Sequence, residues 1–348
     1  MRIARSFIGA VAMVAAAGMT AGLGAGSAFA AQAENGVNPR PAATPTPPPP
    51  PACPTQTTTP AAAPTWMIAP KALSLLVQNN DATATVKSYL NTRETYVFAP
   101  SGQWLNSTPG ASSWPIPSAF SSATPAAYYI DENQLATDLN NATTLAALKN
   151  DGIHTVVLDL ENWPSPPPEQ QQEQQNPLHY YSIGAALAKS KGMKLFATPA
   201  TNLAEAPNTK LTSKNGQPHY GNDYADFYDD DVLGQIASYP GVSLLDIQAQ
   251  QSEGPGANGT PSHFCPYVQE ETKQVRAVTA TTPVIAGIAT QPLNSGPIAV
   301  SDILTSVRAV RDMVGGFWLN DPEHLPDVTR QILEGMDQAP SPIWPPTP

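Results

Sequence analysis

The stretch Ile153-His154-Thr155-Val156-Val157-Leu158-Asp159-Leu160-Glu161-Asn162-Trp163 decides how this chain is read. Its β-branched and leucine content predicts a buried strand. In a strand, alternate side chains share a face. Val156, Leu158 and Leu160 fall on one face, and Val157, Asp159 and Glu161 on the other. The first face is apolar throughout and suits packing against helices. The second is apolar at its start and acidic only at its C-terminal end. A parallel barrel strand has that pattern where it meets an active site, whereas a strand running into a solvated acidic turn is the plainer reading.

Working outward, short β-rich runs recur on both sides. Strands are expected near Trp66–Ala69, Thr95–Ala99, Ala127–Ile130, Ile153–Asp159, Lys194–Thr198, Val242–Gln248, Val284–Ala289 and Gly316–Leu319. Helical segments are expected at Thr143–Lys149, Tyr180–Lys191, Val232–Ser238, Val268–Val278, Ile303–Met313 and Val328–Met336. Alternating strands and helices argue for a parallel sheet with crossover helices, and eight such units fit a (β/α)8 TIM barrel. A doubly wound open sheet is the alternative. It is disfavoured as a nucleotide binder by the lack of a Gly-rich phosphate loop.

Residues 1–30 read as a signal peptide. Arg2 and Arg5 precede a run rich in Ala, Gly, Val and Met, and Ala28-Phe29-Ala30 fits a cleavage site. Residues 31–64 form a Pro-rich linker, with Pro47 to Pro51 consecutive, a composition that favours extended polyproline II over a packed core. The expected domain spans 65–339, followed by a Pro-rich tail at 340–348. A secreted, extracellular, monomeric protein with no transmembrane segment in its mature chain is expected. The net charge is −11, and removing Arg2 and Arg5 makes it about −13, which argues against nucleic acid as a partner. Cys53 and Cys265 are the only cysteines; an exported chain can bridge them, or leave both as thiols.

Two later strand ends repeat the logic of the first. In Leu244-Leu245-Asp246-Ile247-Gln248-Ala249-Gln250, the polar residues Asp246, Gln248 and Gln250 share one face. They serve either a polar ligand or a structural polar layer. In Gly315-Gly316-Phe317-Trp318-Leu319-Asn320-Asp321, Trp318 and Asn320 share a face, and an indole in a polar pocket is a common sugar platform when it is not simply core. Asp159 and Glu161 lie two residues apart on one face. Repulsion plus burial raises one of their pKa values, as a general acid requires. Strand seven, Pro283 to Ala289, contains no Glu, which disfavours a retaining pair split between strands four and seven. Asp131, after the third strand, is the secondary carboxylate candidate. Tyr220, Tyr224 and Phe227 cluster after the fifth strand and serve either sugar stacking or helix packing. His219 and Asp223 have i, i+4 spacing, but nothing completes a metal site, so neither a metal nor a cofactor is expected.

The strand ending Asp159-x-Glu161, the Gln248-bearing sixth strand and the Gly315-Gly316-x-Trp318 eighth strand together resemble the chitinase-like glycoside hydrolases of family 18. The resemblance implies a TIM barrel in which Glu161 protonates the glycosidic oxygen of a polysaccharide or oligosaccharide. Asp159 and Gln248 would then hold the substrate acetamido group, with Trp318 at the base of the sugar site. The chain departs from the family pattern at Val157, where the family has an Asp, and at Gln250, where it has a Tyr. A catalytically inactive barrel that binds glycan or a protein partner is therefore the competing expectation.

Overall fold

The computed structural model describes residues 64–162, 166–206, 208, 210–211, 232–250, 261–291, 298–321 and 324–336. The expected signal peptide, Pro-rich linker and tail, Cys53, and the aromatic trio Tyr220, Tyr224 and Phe227 lie outside them.

Eight parallel strands close into a barrel in sequence order: β1 (Thr65–Ile68), β2 (Thr95–Pro100), β3 (Thr124–Tyr129), β4 (Thr155–Leu158), β5 (Lys194–Ala197), β6 (Val242–Ile247), β7 (Val284–Ala289) and β8 (Gly316–Asn320). Closure depends on β8 pairing with β1, with Thr65 opposite Gly316. A side chain at Gly316 would collide with the Thr65 backbone, so the close approach requires glycine there.

Period-two alternation separates two cores, as the sequence predicts. Val156, Leu158, Leu160, Leu245, Ile247, Phe317 and Leu319 pack in the layer between barrel and helices. Met67, Ala126, Val157, Phe196, Leu244, Ile285 and Trp318 fill the barrel interior, with Tyr96, Phe98 and Tyr128 against them. Filling by alternate inward residues makes the barrel a packed core rather than a pore. Chemistry is thereby left to its C-terminal rim.

The helices are α1 (Pro70–Gln78), α2 (Ala84–Leu90), α3 (Ser101–Leu105), α4 (Glu132–Asn140), α5 (Ala142–Asn150), α6 (Pro168–Gln175), α7 (Pro177–Ser190), α8 (Val232–Ser238), α9 (Pro261–Val278), α10 (Val300–Val310) and α11 (Pro326–Gly335). Pro stands in the first turn of α1, α6, α7 and α11, where its missing N–H costs no helical bond. Sequence patterning does not reveal α1 to α4 or α6. In particular, Pro168-Glu-Gln-Gln-Gln-Glu-Gln-Gln175 has no apolar stripe. It docks instead through Glu173, whose carboxylate accepts from Glu132 N at 2.9 Å, Asn133 N at 3.3 Å and Asn133 Nδ2 at 2.7 Å at the start of α4. None of the described helices is long and apolar enough to cross a membrane.

Candidate active site

The site is built on the C-terminal end of β4. Asp159 is 1% exposed and points into the barrel, where its carboxylate is clasped from three neighbouring strands. The Tyr128 hydroxyl on β3 donates to Oδ2 at 2.5 Å. Just past β5, Thr198 Oγ1 lies 3.0 Å from Oδ1, and just past β6, Gln248 Nε2 donates to the same oxygen at 2.7 Å. Three donors favour the ionised form. Burial works the other way and dominates, leaving Asp159 above the ordinary carboxylate range.

Glu161 sits two residues on, half-buried at the rim. Burial pushes its carboxyl well up, the Asp159 charge pushes it further, and its own hydrogen bond to Asp159 adds to both. The contrast in donors assigns the pair's proton. Asp159 has donors waiting for a charged oxygen; Glu161 makes its hydrogen bond as the protonated partner. The arrangement is an acid held protonated beside an ionised carboxylate, the condition for general acid catalysis near neutral pH.

Asp246 lies deeper, fully buried on β6, and neither of its oxygens has a hydrogen-bond partner. Burial, then the charge of Asp159, holds it well above the carboxylate range, so it stands in the barrel as a neutral acid. Gln250 donates from Nε2 to Gln248 Oε1 at 3.4 Å. Its own amide oxygen fills the space that a side chain at Gly287 on β7 would need.

The other sequence candidates are distributed around this pair. Trp318 projects into the barrel interior with its ring edge-on to Phe98, centroids 5.4 Å apart. It is 6% exposed, so only a sliver of indole faces the rim, and its Nε1 has no partner. Asn320 follows it at the end of β8, partly exposed. Asp131 caps α4, accepting from Gln134 N at 2.7 Å, and lies 3.5 Å from Gln170 Nε2 on α6. It is thus occupied at a helix end, while Asp159, Glu161 and Gln248 are joined through hydrogen bonds. Cys265 is buried in α9. No group of three or more His, Cys, Asp and Glu side chains among the described residues could hold a metal ion.

Three participants escape the sequence reading: Tyr128, Thr198 and Tyr181. Tyr128 carries a usable signal, since it shares the inward face of β3 with Ala126 at a strand end. Thr198 is one residue past β5 and reads as a plain turn hydroxyl. Tyr181 comes from the helix layer, on α7, and its hydroxyl donates to Leu158 O at the end of β4 at 3.3 Å.

The chain matches no family model and no curated protein. Among solved structures, it is similar to a chitinase from Chromobacterium violaceum ATCC 12472 at 12% identity, covering 80% of this chain and 100% of that one, with a TM-score of 0.44. It is also similar to the spore cortex-lytic enzyme SleL of Bacillus cereus at 11% identity, covering 78% and 74%, with a TM-score of 0.39. Bee venom hyaluronidase matches at 9% identity, covering 78% and 96%, with a TM-score of 0.43. Aldolases and a sugar phosphate isomerase/epimerase match alongside them. Likenesses this low carry no argument about chemistry, which rests on the geometry above.

Proposed function

We propose that this chain is a secreted glycoside hydrolase that cleaves a polysaccharide at the C-terminal rim of the barrel, with Glu161 as general acid and Asp159 as its ionised partner. The observation that supports this reading is the asymmetric pair itself: three donors on Asp159, and a proton left on Glu161. Keeping two carboxyls together in a buried strand end is costly unless the shared proton has a use. Gln248, Gln250, Trp318 and Asn320 would line the sugar site.

A second catalytic carboxylate is hard to find. Asp131 is engaged as a helix cap, Asp246 is buried below the rim, Asp321 just past β8 is buried and accepts from Thr290 Oγ1 and Leu325 N, and the inward positions of β7 are Ile285, Gly287 and Ala289. Glu253 and Glu323 lie outside the described residues. A substrate that supplies its own nucleophile, such as the acyl oxygen of a 2-acetamido sugar, would remove the need for one. Chitin and peptidoglycan fragments are therefore the first substrates to try. Release of reducing ends by the native protein, lost in Glu161→Gln, supports the reading. Undiminished turnover in that variant takes Glu161 out of the mechanism.

A non-hydrolytic glycan binder is the second reading. Val157 beneath Asp159 and Gln250 beside Gln248 favour it, since both differ from the family to which the motifs are similar. Under it the native protein binds glycan without forming product, and Glu161→Gln leaves affinity unchanged.

A further inference from the structure

The ladder between β4 and β5 lacks one hydrogen bond, and the gap falls between the two carboxyl-bearing residues. The strands pair with Leu158 opposite Ala197. Continuing that parallel register, Thr198 N donates to Leu158 O at 3.0 Å and Ala200 N donates to Leu160 O at 3.1 Å. The bond between them should run from Leu160 N to Thr198 O. Instead, Leu160 N donates to the Tyr181 hydroxyl at 3.2 Å, and Thr198 O accepts from Gln248 Nε2 at 2.9 Å. Each half of the missing bond is satisfied by a side chain, one from the helix layer and one from the barrel interior.

Both side chains are tied to the neighbourhood of Asp159. Tyr181 is fully buried on α7, and its hydroxyl also donates to Leu158 O at 3.3 Å. One oxygen thus bridges the two peptide groups that flank Asp159. Gln248 spends one amide hydrogen on Thr198 O and the other on Asp159 Oδ1. An intact ladder would draw Leu160 toward Thr198 and release the Gln248 amide. A buried N–H must find an acceptor, so the opening persists only while Tyr181 supplies one.

We propose that Tyr181 is a positioning residue of the site: its hydroxyl holds the β4–β5 seam open at Leu160 so that Glu161 stays turned against Asp159. The proposal rests on the glycosidase reading for its consequence in turnover, but not for the geometry. Tyr181→Phe removes one oxygen and little volume. The freed Leu160 N–H then closes on Thr198 O, displaces Gln248, and carries Glu161 away from Asp159. Glu161 loses part of what keeps its proton bound, so its titration moves toward the ordinary carboxylate range.

The test is the carboxyl-carbon NMR titration of Glu161, identified by its loss in Glu161→Gln, in the native protein, Tyr181→Phe and Tyr180→Phe. Tyr180 is the adjacent residue, whose hydroxyl lies against Gln172. A downward move in Tyr181→Phe alone supports the proposal. An unmoved titration in a folded Tyr181→Phe overturns it. With a cleaved substrate in hand, kcat should fall about ten- to a hundredfold with little change in KM, and the alkaline limb of the pH profile should move down with the titration. A native protein that cleaves nothing sinks the glycosidase reading and leaves the titration to decide the role of Tyr181. Should Tyr181→Phe not fold, Gln248→Met probes the other half of the opening. Thr198 O is then free while Tyr181 still supplies an acceptor, so the Leu160 amide should keep its native chemical shift and exchange rate. A Leu160 amide that transfers to Thr198 O in that variant shows that Gln248 rather than Tyr181 holds the seam open, and overturns the proposal too.

Discussion

Tyr128 and Asp159 share a 2.5 Å hydrogen bond across the β3–β4 seam. Tyr128 is paired in register with Val157, so its phenol reaches up the barrel to the carboxylate two residues on. That bond, with those from Thr198 and Gln248, offsets part of the burial that raises Asp159. Removing the hydroxyl in Tyr128→Phe should make Asp159 bind its proton more tightly. The proposed reaction needs Asp159 ionised, so under it the acid limb of the pH profile should move to higher pH. At the native optimum kcat should fall about tenfold, the scale of one charge-assisted hydrogen bond. A pH profile of the variant on a cleaved glycan checks both, and an acid limb that stays put contradicts this role for Tyr128.

In the proposed mechanism Glu161 sets the other limb. Its carboxyl is raised from an ordinary value of 4.5 by burial first and by the Asp159 charge second. A general acid works while protonated, so turnover should persist through neutral pH and fall as pH rises through the raised value. Glu161→Gln should lower kcat by about a hundredfold or more and abolish that limb. Rate profiles of both proteins from acid to alkaline pH test the assignment. An alkaline fall in the ordinary carboxylate range would mean that Glu161 is not the acid.

The fold was legible because period two is a local signal. Val156, Leu158 and Leu160 fall in the outer core and Val157 in the barrel interior as the alternation predicts, with Asp159 buried beyond Val157 and Glu161 half-buried at the rim. Strand ends were legible to within three residues, β7 without error. The missed helix α6 has no apolar periodicity, because a charged cap rather than a hydrophobic face holds it. The site was legible only where one strand carries it. Asp159 and Glu161 could be read from spacing, but the clasp on Asp159 draws on three other strands, and no local pattern encodes which side chains meet across them. Tyr181 was beyond reach for a stronger reason: its role depends on a ladder bond that fails to form.

Cys265 is buried in α9, and a pairing with Cys53, one of the two readings of the sequence, would tether the Pro-rich segment to the barrel. Intact mass measured with and without reductant, after alkylation, should show no free thiol before reduction and two after it. Cys265→Ser should lower stability by about 2–4 kcal/mol, the usual range for a lost native disulfide. Two alkylated thiols in the unreduced protein would refute the pairing.

Trp318 presents little surface to the rim, and its ring is part of the interior packing with Phe98. Trp318→Ala should therefore destabilise the barrel by about 3–5 kcal/mol, as truncating a buried aromatic does. Chemical denaturation measures that directly. Trp318→Phe keeps much of the packing and should weaken an oligosaccharide that reaches the indole by about 1 kcal/mol. Unchanged affinity by calorimetry would limit Trp318 to the core.

Asp246 gives the cleanest separation of stability from catalysis. Its native pKa lies well above the unfolded value of 3.8, because burial and the nearby Asp159 charge both oppose ionisation. Folding therefore binds a proton that the unfolded chain releases once pH exceeds the unfolded value. The sign follows from linkage: this contribution to stability is fully present below the unfolded value and declines as pH rises toward the native one. Asp246→Asn is neutral at every pH and close in volume. The stability of the variant relative to the parent should rise steadily from about pH 4 upward. Urea denaturation at acidic, neutral and mildly alkaline pH reads this difference, and subtraction between the two proteins cancels the titration of groups they share. A difference that stays flat with pH would mean that Asp246 is ionised in the native barrel, and that a partner for it exists within the fold.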